Sequence, residues 1–151
     1  MYNNQKLSIF LVDDDAIYLT LLQNVLSKNQ SYVIETFANG ELCLKRISAE
    51  PDVIVLDYHL SGIEKKSVNG LDALRKIKLI NSDIAVIMLS LQDDIEVAVS
   101  CMNFNSVDYI VKSETALVRL NYSIQNLVHY KKMENIMSWY TERLQSLNIK
   151  V

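Results

Sequence analysis

Five times along the chain a short apolar run is followed by apolar residues at helical spacing, and this alternation restricts the fold more than any other feature. Ile9 to Val12 precedes Ile17, Leu21, Leu22, Val25 and Leu26, and Tyr32 to Phe37 precedes Leu42, Leu44 and Ile47. Val53 to Leu56 precedes Leu71, Leu74 and Ile77, and Ile84 to Leu89 precedes the Ile95 to Met102 segment. The last run, Tyr109 to Val111, leads into a segment that starts near Thr115. Runs three and four are continuously apolar, as in parallel strands covered by helices on both faces. Right-handed crossovers then favour a doubly wound, three-layer α/β sandwich on a five-stranded parallel sheet. Any site belongs at the carboxyl ends of its strands, near the switch point.

A chain of 151 residues suits one domain with its own core better than two. Its composition, 50% hydrophobic and 22% charged with three Gly and one Pro, excludes disordered and fibrous classes. A net charge of −3 argues against direct nucleic-acid binding, which needs a basic face to displace counterions. Cys43 and Cys101 lie in apolar helical patterns without CxxC or Cys/His spacing, so buried free thiols are expected rather than a disulfide or zinc site. Met1 to Leu7 lacks a signal pattern, and Ile84 to Leu89 is too short to cross a bilayer, so the expectation is a cytoplasmic protein with no membrane partner.

Run one ends in Asp13, Asp14 and Asp15, run three in Asp57, run four in Ser90, and run five is followed at once by Lys112. A parallel sheet brings these ends together. Crowded carboxylates repel unless some stay protonated or a cation sits among them. Mg²⁺ is the simpler solution, because it takes one or two carboxylates plus phosphate oxygens, which suits Asp14 and Asp57. Each residue also has an ordinary reading. Asp13 to Asp15 read as a helix N-cap with acidic first-turn residues, Ser90 as a turn residue and Lys112 as a solvated lysine. For Asp57 the ordinary reading is weaker, since no helix start follows it to cap. As a set they supply a carboxylate nucleophile, a metal site, a hydroxyl donor and a fixed cation, the parts of aspartyl phosphorylation.

This constellation resembles the receiver family of two-component signalling over about Leu7 to Leu127. The resemblance implies a flavodoxin-like fold of strand order 2-1-3-4-5 and a phosphoacceptor role for Asp57. It implies metal binding by Asp14, Asp57 and the backbone carbonyl of His59, with Asp13 acting through water; the His59 imidazole is expected at the pocket edge. Ser90 and Lys112 would bind phosphoryl oxygens, and Ser90 with Tyr109 would form the switch. The implied donor is a sensor histidine kinase or histidine phosphotransfer protein, and the implied output is a changed surface read by a downstream protein target. On this reading the chain is a self-assisting phosphoacceptor switch rather than an enzyme.

The chain departs from the family pattern in several places. Ser61 stands where a Pro is usual, and Gly70 lies thirteen residues after Asp57, which lengthens the loop from Gly62 to Asn69. Leu91 stands where a small residue is usual and is expected to crowd the phosphoryl pocket. Ser113 replaces the Pro after the lysine, so a trans peptide is expected there. The receiver is expected over 1–128. Residues 129–151 are expected to extend a final helix without a separate output domain. Apolar positions continue at helical spacing from Leu117 to Leu147 with one three-residue step breaking the heptad rhythm, which suggests homodimerisation through this helix. Two rival functions are a haloacid-dehalogenase-type phosphatase using Asp13, and a receiver-like binding module that is never phosphorylated.

Overall fold

The computed structural model describes residues 5–60 and 69–147. Five parallel strands, β1 (Leu7–Val12), β2 (Tyr32–Phe37), β3 (Val53–Asp57), β4 (Ala85–Ser90) and β5 (Asp108–Val111), form one sheet of order β2-β1-β3-β4-β5. They alternate with α1 (Ala16–Leu26), α2 (Gly40–Lys45), α3 (Gly70–Ile80), α4 (Ile95–Asn103) and α5 (Ala116–Ser146), and a short 3-10 turn follows α2 at Ile47–Ala49. The doubly wound sandwich and strand order are therefore as expected, and the final helix runs unbroken past residue 128.

Period-two alternation splits the core between the two sheet faces. Phe10, Val12, Ile54, Leu56, Val86 and Met88 pack with Cys43, Leu74, Ile77 and Cys101 of α2, α3 and α4. Ile9, Leu11, Val55, Ile87, Leu89 and Ile110 pack with Leu22, Leu26, Leu120 and Ile124 of α1 and α5. Each fully buried Leu or Ile contributes about 1.5–3 kcal/mol. An exposed ion pair such as Arg46–Glu35 contributes under about 1 kcal/mol, so the two cores hold the sheet and the ion pairs do not.

Local chemistry sets where the helices begin. Asp15, Asn39, Asn69 and Asp94 each accept backbone N–H bonds at the N-termini of α1 to α4, satisfying donors that have no partner in the first turn. Both cysteines are buried and unbridged, and burial pushes the Cys43 thiol up to about 12. The described residues contain no cis peptide, including the bond from Lys112 to Ser113, and no helix long and apolar enough to cross a membrane. Of the lengthened loop, Ser61 and the stretch 62–68 lie outside the described residues.

Two expectations about helix faces are corrected. Ile17 is 84% exposed although it shares α1 with the buried Leu22 and Leu26, because it lies nine residues from Leu26, on the opposite side of the helix, and the first turn packs on the core through Tyr18 and Leu19 instead. The apolar positions from Leu117 to Leu147 do not form one stripe, because the one irregular step leaves three three-residue steps in succession between Ile124 and Met133. They lie on two different faces of α5, the first buried and the second exposed.

Candidate functional site

The carboxyl ends of β1 and β3 meet where the strand order reverses, and the acidic residues gather there. The Asp13 N–H donates to the Phe37 carbonyl at 3.1 Å, which continues the β1–β2 ladder one residue past the strand. On β3, the Tyr58 N–H donates to the Leu89 carbonyl at 2.8 Å, so Asp57 is the last strand residue before the chain turns away. The Lys112 N–H donates to the Ser90 carbonyl at 2.7 Å, fixing Lys112 one position beyond β5. Sheet register alone thus places Asp13, Asp57, Ser90 and Lys112 along one edge.

Asp13 and Asp57 are almost fully buried, whereas Asp14 is exposed, and ligand oxygens of all three lie within 4.8 Å of one another. The Lys112 ammonium donates to Asp13 Oδ2 at 2.8 Å and lies 3.3 Å from Asp57 Oδ1. Asp13 Oδ1 accepts the Asp15 N–H at 2.8 Å, and Asp57 Oδ1 accepts the His59 N–H at 3.3 Å. Burial first and the Asp13 charge second hold the Asp57 carboxyl above its ordinary value, with Lys112 pulling the other way. Burial alone would lower the Lys112 pKa, but hydrogen bonding to Asp13 and the charges of Asp57 and Asp13 outweigh it and leave the ammonium more firmly protonated. The formal charges of these three acids and Lys112 sum to −2. A hard divalent cation with oxygen ligands balances that charge, and the donor set fits Mg²⁺.

The hydroxyl arm lies beside this cluster. Ser90 is fully buried; its Oγ accepts the Gln92 N–H at 3.1 Å and lies 3.3 Å from His59 Nε2, so the imidazole borders the pocket. The half-buried Tyr109 donates its O–H to the Gln92 carbonyl at 2.8 Å. Burial raises its phenol pKa, against a pull from the Ser90 hydroxyl. Leu91, expected to crowd the pocket, is 68% exposed.

Two neighbours went unread in the sequence. The Tyr18 ring lies 4.4 Å from the Lys112 ammonium, and Gln92 links Ser90 to Tyr109 through its backbone. The position of Tyr18, three residues after the Asp15 cap, is the signal that points it at the strand ends. Gln92 acts through main-chain atoms, so its residue type carries no signal.

A family model for the response regulator receiver domain matches residues 9–121. The chain belongs to the response regulator receiver domain family. The receiver is 31% identical over 114 residues to a protein-glutamate methylesterase/protein-glutamine glutaminase of Clostridium acetobutylicum, covering 73% of this chain and 32% of that protein. It is 26% identical over 110 residues to the transcriptional regulatory protein ZraR of Klebsiella oxytoca, covering 73% of this chain and 24% of the relative. The receiver domain of NtrX from Brucella abortus superposes with a TM-score of 0.71 at 27% identity, covering 80% of this chain and 98% of that one. The chain spans only a quarter to a third of the two curated relatives, so the likeness concerns their receiver portions. Receiver domains are phosphoacceptor switches of two-component systems, and the acidic cluster is consistent with Mg²⁺ binding and aspartyl phosphorylation.

Proposed function

We propose that this receiver accepts a phosphoryl group on Asp57 from a phosphohistidine of a sensor histidine kinase or histidine phosphotransfer protein in the cytoplasm. The observation that carries the reading is the buried Lys112 ammonium, held between Asp13 and Asp57 at 2.8 and 3.3 Å where the carboxylates of Asp13, Asp14 and Asp57 converge. Asp14, Asp57 and the His59 carbonyl would hold Mg²⁺, with Asp13 acting through water, and the bound ion would supply positive charge to offset that of the incoming phosphoryl group.

Among the described residues the hydrogen bonds to Asp57 fall on Oδ1, which leaves Oδ2 as the attacking oxygen. The new bond joins Oδ2 to phosphorus, the phosphorus–nitrogen bond of the donor breaks, and the departing imidazole keeps the electron pair and takes up a proton. Lys112 and Ser90 bind the phosphoryl oxygens. For Ser90 this means leaving the Gln92 N–H and the His59 ring. Gln92 is also what Tyr109 holds, so movement of Ser90 loosens the Tyr109 anchor and remodels the surface around α4, β5 and α5. Output runs through protein contacts, to a downstream protein target and to a second copy of the chain at the C-terminal helix. Residues 1–128 form the receiver and 129–151 its extension, whose described part continues the last helix to Ser146.

Acetyl phosphate with Mg²⁺ tests the reading. A hydroxylamine-sensitive phosphoryl adduct is expected on the wild-type chain and none on Asp57→Ala. An adduct that survives Asp57→Ala and vanishes in Asp13→Ala, with turnover of phosphomonoesters, would establish the phosphatase instead. That alternative needs Asp13 as nucleophile, yet both Asp13 oxygens already accept hydrogen bonds, from Asp15 and Lys112. No adduct on any variant would leave a binding module.

A further inference from the structure

The nine-residue separation of Ile124 and Met133 makes about two and a half turns, so these two side chains stand on opposite sides of α5. The steps from 124 to 127, 130 and 133 each fall about 60° short of a full turn, and together they carry the apolar positions across the helix. Before the crossing, Leu120 and Ile124 are buried, and Leu117, Leu127 and Val128 pack against the same core. After it, Met133, Met137, Tyr140 and Leu147 are 52%, 64%, 56% and 61% exposed, and Leu144 is half-buried. Lys131, on the core-facing side, reaches back to Asp52 before β3, so the second stripe is turned away from the receiver body.

We propose that this outer stripe binds a second copy of the chain as a parallel two-stranded coiled coil from Tyr130 to Leu147. The proposal deepens the second-copy contact named above and is independent of the aspartyl chemistry. From Tyr130 the apolar positions alternate three- and four-residue steps, the heptad rhythm, and such a seam is filled by a helix with the same repeat. A helix of about 15 residues alone in water is marginal, and α5 beyond Lys131 is exposed almost throughout, so it needs a partner.

Polar pairing along the flanks selects the direction. With Met133 and Met137 at the d and a positions, His129, Ile136 and Arg143 form one flank, and Glu134 and Thr141 the other. A parallel pair sets each flank against the opposite flank of its mate, bringing His129 to Glu134. An antiparallel pair sets the His129–Arg143 flank on itself. The seam is about 27 Å long, which gives an interface at the low end of specific contacts and hence a reversible dimer.

Trp139, the single tryptophan, packs its ring 4.9 Å from that of Tyr140 and reports on the seam. Sedimentation of the 151-residue chain from micromolar to millimolar concentration is expected to show a monomer–dimer equilibrium, with Trp139 emission changing along it. Met137→Glu combined with Tyr140→Glu is expected to weaken it at least about 100-fold by burying charge in the seam. Phosphoryl uptake by that variant reports an intact receiver. Leu144→Cys is expected to cross-link rapidly on mild oxidation, whereas an antiparallel pair holds the two thiols about 16 Å apart. A wild-type monomer throughout the range, with and without acetyl phosphate, overturns the dimer. A dimer untouched by the double substitution overturns the face, and failure of the Leu144→Cys cross-link overturns the direction. A chain that dimerises but takes up no phosphoryl group overturns the proposed function and leaves this inference standing.

Discussion

Lys112 is the cation that the buried acids share, and its removal is more damaging than the loss of a surface charge. Lys112→Met leaves Asp13 and Asp57 nearly inaccessible to water with no ammonium between them. Breaking a buried pair from one side costs about 3–5 kcal/mol, so urea denaturation in the absence of divalent ions is expected to show a loss of that size. Asp57 acts in the opposite sense. Its carboxyl titrates higher in the folded chain than its ordinary 3.8, chiefly through burial and then the Asp13 charge. An acid with a raised folded pKa binds its proton more tightly when folded, so stability falls as pH rises from 3.8 to the folded value and stays lowered above it. Asp57→Asn removes that penalty while Lys112 keeps Asp13 at 2.8 Å. The variant is expected to be more stable than wild type at pH 7 by about 0.5–2 kcal/mol, the usual span for a stabilising substitution. Denaturation curves at several pH values without metal check the sign: the two proteins converge below pH 3.8. On the proposed reading, Asp57 is thus held for reactivity at a cost to stability.

The helices tell how far the chain's elements are legible in its sequence. Gly70 opens α3 with its N–H on the Tyr58 carbonyl at 3.2 Å, and a Cβ there would lie 2.4 Å from the Asp57 carbonyl oxygen and 2.5 Å from the Tyr58 Cα. Both obstacles are backbone and cannot turn aside. Gly70→Ala is expected to lower stability by about 1–3 kcal/mol and, by shifting the Asp57–Tyr58 peptide, to slow phosphoryl uptake; thermal melting and single-turnover labelling measure the two effects. The strands were legible because continuous apolar runs such as Val53–Leu56 have few other homes, and the acids were legible because a parallel sheet collects the carboxyl ends of its strands. Helix faces were less so. Ile17, Leu79 and Ile95 are 84%, 86% and 78% exposed, because each lies off the buried face of its helix, as Leu79 does two residues from Ile77 and Ile95 six residues before Cys101. An apolar residue within a helix does not by itself say which face the neighbouring layer covers. The same gap hid the crossing of the α5 stripe, because steps of three and four both count as helical. Gln92 was invisible for another reason, since its contribution comes from N–H and carbonyl groups that every residue but proline carries.

At the scale of the molecule, charge is distributed so that the ion-binding pocket differs from the surface around it. The whole chain carries a formal −3, and the pocket of Asp13, Asp14, Asp57 and Lys112 accounts for a net −2 of that within a few ångströms. Exposed charges separated by more than about 8 Å are largely screened at physiological ionic strength, but charges buried as Asp13 and Asp57 are screened far less. Monovalent salt is therefore a poor substitute for a divalent ion. A cation that binds the folded pocket and not the unfolded chain stabilises by mass action, about 2.7 kcal/mol at a hundred times its dissociation constant. Melting of the chain in 0.15 M NaCl is expected to rise by several degrees with millimolar Mg²⁺, to return on chelation, and to respond little to an equal charge of added NaCl. Asp14→Ala is expected to abolish most of the rise while leaving the metal-free melting temperature nearly unchanged, because Asp14 is solvent-exposed and outside both apolar cores. An equal Mg²⁺ shift in wild type and Asp14→Ala would place the ion elsewhere and remove the acidic cluster as the source of the charge balance that the proposed phosphoryl transfer to Asp57 requires.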